Sequence, residues 1–238
     1  MLFISPPFGN YINLPKTRSI KGSFTLEPRY GLIMQIIKSL RYDFTNKGWV
    51  NKIGLRNYGI DWAIKKYKFD TDSIVSIAIM DYKEIDILNK KIPNNMNLEL
   101  NISCPNVKNN LIHDDLYKFL NNERNWCSIK LSPITNMDLV DKYYNQGFRH
   151  FHCCNTLPTL NGGLSGVAIQ KYSFELITKI RNKYPDTVIV GGGGIIDITD
   201  IKKYKYAGAN YFSVSSIMFN PILFGIFYYN YILYKEYL

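Results

Sequence analysis

The sequence predicts an α/β fold, a (β/α)8 barrel, and three observations carry that reading. Short apolar runs rich in β-branched residues recur along the chain; helix-patterned segments separate the later runs; and chemically unusual residues gather just past the C-terminal ends of the runs. Near-continuously apolar strands belong to a parallel sheet covered on both faces, and eight of them suit a closed cylinder better than an open sheet.

Taken in order, the predicted strands are "LFIS" from Leu2, "IKGSFTL" from Ile20, "SIVSIAIM" from Ser73 and "NLELNIS" from Asn97. "CSIKLS" from Cys127, "HFHCCN" from His150, "TVIVGG" from Thr187 and "NYFSVS" from Asn210 complete the set. Three helices are well marked. "TNMDLVDKYYNQG" has a cap at Thr135 or Asn136, an apolar stripe through Leu139, Val140 and Tyr143, and a stop at Gly147. "SFELITKIRNKYP" starts at Ser173 and sets Phe174, Ile177, Ile180 and Tyr184 on one face, and "DITDIKKYKYAG" stops at Gly208. Only "GNYINLPKTRS" separates the first two strands, so the first helix is absent or vestigial. The second connection, Pro28 to Asp72, is long, and its "GWVNKIGLRNYGID" is too rich in Gly and Asn for a plain helix. The whole is a TIM barrel with a vestigial first helix, read as one domain over residues 1–238.

Composition narrows the classes. With 46% hydrophobic and 15% aromatic residues, 238 residues suffice for one sizeable core. The four cysteines, Cys104, Cys127, Cys153 and Cys154, show no CxxC pair or Cys/His ligand spacing. Structural zinc and a disulfide framework are therefore not expected, and no metal site is assigned. Met1 is followed by "LFISPPFGN", which lacks a basic n-region and cleavage site, and reduced thiols suit a cytoplasmic protein. The net charge of +10 suits an RNA or an anionic small ligand equally, and the lysines are scattered. "IMFNPILFGIFYYNYILY" has no charge, yet at roughly 18 residues, broken by Asn, Pro and Gly, it reads as a final helix against the barrel rather than a membrane span. Its apolar face would suit a dimer partner.

Barrel enzymes build their sites at the C-terminal ends of the strands. Asn101 and Cys104 end strand four, Lys130 lies in strand five, and Asn155 and Thr156 end strand six. Lys130 is the most informative, because an ammonium among barrel-strand residues must reach water or meet an anion. Gly191–Gly194 lets a ligand approach the backbone, and together with Gly162, Gly163 and Ser213–Ser216 it suggests a phosphate cup. Asn51, Asn101, Asn106 and Asn155 each donate and accept, which suits a planar ligand with alternating C=O and N–H groups. His113, His150 and His152 read as structural histidines.

Together, "GSFTLEPRYG", "NKIGLRNYGID", "ELNISCPN", "IKLSP", "CNT", "GGLSGVAIQ" and "VGGGGI" resemble the dihydroorotate dehydrogenases, FMN-dependent barrel enzymes of pyrimidine synthesis, over nearly the whole chain. The resemblance implies that Cys104 is the catalytic base of the class that uses cysteine, and that Asn101 and Lys130 hold the flavin and its reactive ring. It implies that Asn51, Asn106, Asn155 and Thr156 surround the pyrimidine. Ser165, Gly166, Gly193, Gly194, Ser215 and Ser216 fall where the family binds the ribityl phosphate, and Gly22 and Ser23 where it lines the flavin. A thiol with pKa near ~8.5 is a workable base where a cationic or amide-rich pocket favours the thiolate. The chain departs from the pattern at the family's substrate lysine: alignment on "TLEPR" puts Gly22 there and Lys21 one residue earlier, on the opposite face of a strand. Lys16 and Lys21 are the candidates to replace it. Pro6 and Pro7 stand where small residues are usual, and Ser215 where glycine is.

The implied reaction is oxidation of dihydroorotate to orotate, with a small pyrimidine as partner and no nucleic acid. Two alternatives remain: a tRNA-dihydrouridine synthase, whose loop also reads Asn-x-x-Cys-Pro, and a non-catalytic FMN-binding relic.

Overall fold

The computed structural model describes residues 1–102 and 114–234. Eight parallel strands close into a barrel in the order β1 (Leu2–Ile4), β12 (Tyr211–Val214), β11 (Val188–Gly192), β8 (His150–Cys153), β7 (Cys127–Leu131), β6 (Leu98–Asn101), β5 (Ile74–Ala78) and β2 (Thr17–Phe24). These are the eight strands read from the sequence, and the (β/α)8 architecture follows from them.

Strict alternation divides each strand between two interiors. Leu98, Leu100, Ile129, Leu131, Phe151 and Cys153 belong to the main core between barrel and helices, and all are nearly or fully buried. Each such Leu, Ile or Phe side chain contributes roughly 1.5–3 kcal/mol on leaving water. The intervening residues point into the barrel. Glu99 on β6 reaches His152 on β8 across the intervening β7, which is possible only through the lumen. The N-terminal end of the lumen is plugged by Phe3, Ile20, Ile74, Trp126 and Val190, with the Trp126 ring 4.3 Å from that of His150. Above this plug the lumen turns polar.

Helices α3 (Glu84–Lys91), α4 (Met137–Asn145), α5 (Gln170–Lys183) and α6 (Ile198–Ala207) wrap the barrel. The Asn136 side chain caps α4 by accepting from Leu139 N, and Gly147, at φ 101°, ends that turn. Asp197 caps α6 by accepting from Asp200 N, and Gly208 ends it in the left-handed region. Helix α5 begins three residues before the predicted Ser173, because the short 3-10 turn Val167–Ile169 runs directly into it. A single 3-10 turn, Phe8–Asn10, replaces the first helix, as the brief connection predicts.

The long second connection is where the sequence reading falls short. It folds into α1 (Leu32–Ser39), a hairpin of β3 (Arg41–Asp43) and β4 (Gly48–Asn51), and α2 (Ile60–Tyr67). Strand β4 also pairs with β10 (Gly162–Gly166), which pairs with β9 (Leu157–Thr159), giving a four-stranded antiparallel sheet β3-β4-β10-β9 beside the barrel mouth. Gly48 and Gly162 allow the close approach of these strands: a β-carbon on either would lie 2.2 or 2.3 Å from a carbonyl oxygen of the partner strand. Gly162 and Gly163 are thus sheet residues, a correction to their expected place in a phosphate cup. Helix α7 (Pro221–Tyr234) buries Phe227 and Tyr231 and exposes Ile222, Ile226 and Tyr229. Among the described residues no helix is long and apolar enough to cross a membrane.

Candidate active site

The polar upper lumen is organised around Glu99, which is fully buried. Burial alone would push its carboxyl up, but Lys130, His152 and a hydrogen bond from Ser76 outweigh it and hold the pKa at about 2. Ser76 Oγ donates to Oε1 at 2.9 Å, His152 Nδ1 lies 2.5 Å from Oε2, and Lys130 Nζ stands 3.6 Å from Oε1. The three charged or ionisable groups come from consecutive strands β6, β7 and β8, in one layer of the lumen. Lys130 has therefore met its anion inside the barrel, as a buried ammonium must.

From Glu99 a directed chain of hydrogen bonds climbs to the mouth. Asn155 Nδ2 donates to Asn101 Oδ1 at 3.1 Å, and Asn101 Nδ2 donates to Ser23 Oγ at 2.9 Å. Ser23 and Ser76 hydroxyls lie 2.8 Å apart, and since Ser76 gives its proton to Glu99, Ser23 donates to Ser76. A carboxylate only accepts, so its charge fixes the direction of every link and the orientation of both amides. Asn155 Oδ1 in turn accepts from Thr156 N at 2.9 Å.

A cleft of about 790 Å³, including its open solvent side, lies over this layer. Lys130, His152, Asn155 and Thr156 line one side, and Asn51 overhangs from β4. Ser165, Gly166, Gly193, Gly194, Ser215 and Ser216 line the other, with Pro6 and Pro7 below. The Ser215 hydroxyl donates to Pro6 O at 2.9 Å, tying strand ends β12 and β1 together. Gly193 and Gly194 have φ of 105° and 74°, and a β-carbon on Gly194 would come within 2.5 Å of Gly166 O. Only glycine lets those backbones approach. The amides of Gly193, Gly194, Ser215 and Ser216 make no hydrogen bond within the described residues, so four N–H donors line this end.

The expected residues thus divide into three groups. Asn51, Lys130, Asn155, Thr156, Ser165, Gly166, Gly193, Gly194, Ser215 and Ser216 are brought together around one cleft. Gly22, Ser23 and Asn101 stand behind its wall, where a β-carbon on Gly22 would lie 2.4 Å from Ser76 O. Cys104 and Asn106 lie outside the described residues. Lys21 points away from the lumen, with Nζ donating to Gly9 O at 2.8 Å and lying 5.9 Å from the Tyr67 ring centre. Burial there lowers its pKa, opposed by Asp70. Lys16 is exposed and is not a cleft residue. Neither takes the place of the family lysine among the described cleft residues. Burial pushes Cys127 up to about 12 and Cys153 also upward, which makes both thiols inert. Among the described residues no His, Cys, Asp and Glu group could hold a metal.

Sequence reasoning overlooked Glu99 and read its partner His152 as a structural histidine only. The signal was present: Glu99 is two residues before Asn101 and so shares its face, and a lysine placed in the lumen demands an acid.

Comparison with known proteins agrees with this geometry. A sequence profile of the dihydroorotate dehydrogenase family matches residues 11–224. Among curated relatives, the catalytic subunit of dihydroorotate dehydrogenase B (NAD(+)) from Bacillus cytotoxicus is 32% identical over 228 residues, covering 82% of this chain and 72% of that one. The same subunit from Geotalea daltonii is 30% identical over 247 residues, with 89% and 79% covered. The ligand-free dihydroorotate dehydrogenase of Eimeria tenella shares the fold, with a TM-score of 0.73 at 18% identity over 93% of this chain and 80% of that one. The profile match spans all but the chain's ends, and the chain belongs to the dihydroorotate dehydrogenase family.

Proposed function

We propose that the protein oxidises dihydroorotate to orotate with FMN as its flavin, in the synthesis of pyrimidines. The observation that carries this reading is the cleft's division into a cationic, amide-lined end and an amide-donor cup, joined over one polar layer.

FMN fits that division. Its phosphate suits the N–H groups of Gly193, Gly194, Ser215 and Ser216, where no β-carbon intrudes. Its ring suits Lys130 and Asn155, which lie toward β7 and β8. Bound FMN supplies the hydride acceptor. The chain's own residues do the rest. Lys130 holds a positive charge against the cleft, where it favours negative charge arriving on a bound ring system. Asn155 is oriented by Asn101 and Thr156, so it presents a fixed pattern to a planar imide. Asn51 and Thr156, on opposite sides of β10, close over the rim. Cys104, by its place in "NISCPN", takes the proton from the carbon next to the one that gives up hydride.

Anaerobic addition of dihydroorotate to the purified yellow protein should bleach the flavin. A yellow protein that keeps its colour at saturating dihydroorotate overturns the substrate assignment and favours a flavin-binding relic. Denatured protein that releases no FMN overturns the cofactor.

A further inference from the structure

We propose that His152 is a positioning residue for the flavin's polyol chain: a neutral imidazole, locked by Glu99, whose Nε2 accepts a hydrogen bond from a polyol hydroxyl. The inference rests on the FMN reading and deepens it.

Glu99 is a carboxylate and can only accept, so His152 Nδ1, 2.5 Å away, carries the proton. Burial disfavours the imidazolium and lowers the His152 pKa; Glu99 opposes this and Lys130 adds to it. The ring is therefore neutral, with a bare lone pair on Nε2. His152 is 2% exposed and lines the cleft, and its Nε2 has no partner among the described residues. That nitrogen lies beside Gly192, where a β-carbon would sit 3.6 Å away. The nitrogen opens onto the cleft, where a ligand hydroxyl can donate to it in place of solvent.

Strand order identifies the donor. Around the barrel run β7 with Lys130, β8 with His152, β11 leading to Gly193 and Gly194, and β12 leading to Ser215. A flavin with its ring over β7 and its phosphate beyond β11 and β12 must lay the connecting chain over β8. In FMN that chain is a polyol, and its hydroxyls are the only donors in that stretch. A positive ring at this position would present no acceptor. The Glu99 contact is what keeps His152 an acceptor.

Two substitutions separate the roles of the two ring nitrogens. His152→Asn places an amide donor where Nδ1 stands, so Glu99 stays satisfied while the cleft acceptor is lost. His152→Gln reaches to the position of Nε2. Dissociation constants would be read from flavin fluorescence on diluting the holoproteins, loaded either with FMN or with an analogue bearing ring and phosphate on a plain pentyl chain. H152N should weaken FMN about ten-fold and the pentyl analogue less than about three-fold, and H152Q should recover most of the FMN loss. Equal losses for both ligands, or no loss for either, overturn the role of His152 while leaving FMN binding intact. Wild-type protein that binds neither ligand overturns the flavin reading, and this inference with it.

Discussion

Removing both members of the lumen ion pair should cost little more than removing one. Lys130→Met leaves the Glu99 carboxylate in a fully buried layer with only Ser76 and His152; Glu99→Gln leaves the Lys130 ammonium there alone. Two charges 3.6 Å apart attract by about 4–5 kcal/mol at an effective dielectric near ~20. Loss of one partner from a buried pair typically costs about 3–5 kcal/mol. Independently, a carboxyl held at about 2 against an ordinary 4.5 corresponds to about 3 kcal/mol of net favourable interaction at neutral pH. A coupling energy of about 3 kcal/mol is therefore expected between the two substitutions. The assay is urea unfolding at pH ~7 of wild type, both single variants and the double variant, each stripped of flavin so that ligand linkage does not enter. The double variant should be close to the more stable single variant. Single losses that add to within about 0.5 kcal/mol would show that the two charges do not interact, and the reasoning on the lumen would fail.

Acid should destabilise the protein in two stages. His152 and His150 have folded pKa values below the ordinary 6.5, and Glu99 sits at about 2 against 4.5. All three bind more protons unfolded, so stability is complete above pH 6.5, falls first through the histidines and again below 4.5 through Glu99. Urea midpoints across pH check this, and replacing His150 and His152 by Gln should abolish the upper stage. Gly194→Ala drives a β-carbon to 2.5 Å from Gly166 O at φ 74°, so the purified variant should carry little flavin by absorbance. Lys21→Met should leave flavin content and the KM for dihydroorotate unchanged, since Lys21 faces Gly9 and Tyr67 outside the lumen; a raised KM would place that lysine in the site after all. Asn136→Ala should cost about 1 kcal/mol in urea unfolding through loss of the α4 cap.

The barrel strands were legible because two interiors leave a plain record. Leu98, Leu100 and Ile102 alternate with Glu99 and Asn101, and the polar partners occur just where the lumen opens to the cleft. The α4 cap, read as Thr135 or Asn136, and the stops at Gly147 and Gly208 were equally readable, since each is a local geometric requirement. The sheet beside the mouth was not. Its strands β4 and β10 are 110 or so residues apart in the chain, and the glycines that let them meet look the same in a sequence as glycines that grip a ligand. Glu99 was missed, and His152 was read as structural without its partner, for a related reason: their meaning depends on a contact across β7, which no periodicity within one strand records. Lys130 was the exception, because a lone cation in an apolar run announces its need for a partner wherever that partner lies.

Joining residues 41–51 to 157–166 in one sheet has a consequence for how this site can change. Two excursions from separate barrel strands behave as a single plate, riveted by Ser165 Oγ to Trp49 O at 3.1 Å and seated on Phe219 through the Trp49 ring at 4.6 Å. An insertion in either excursion would slip its register and invert which side chains overhang the opening, so Asn51 would leave the rim. New ligand preference at this edge is therefore reached by exchanging side chains or by matched alterations in both segments, while the helical wrapping elsewhere can lengthen freely.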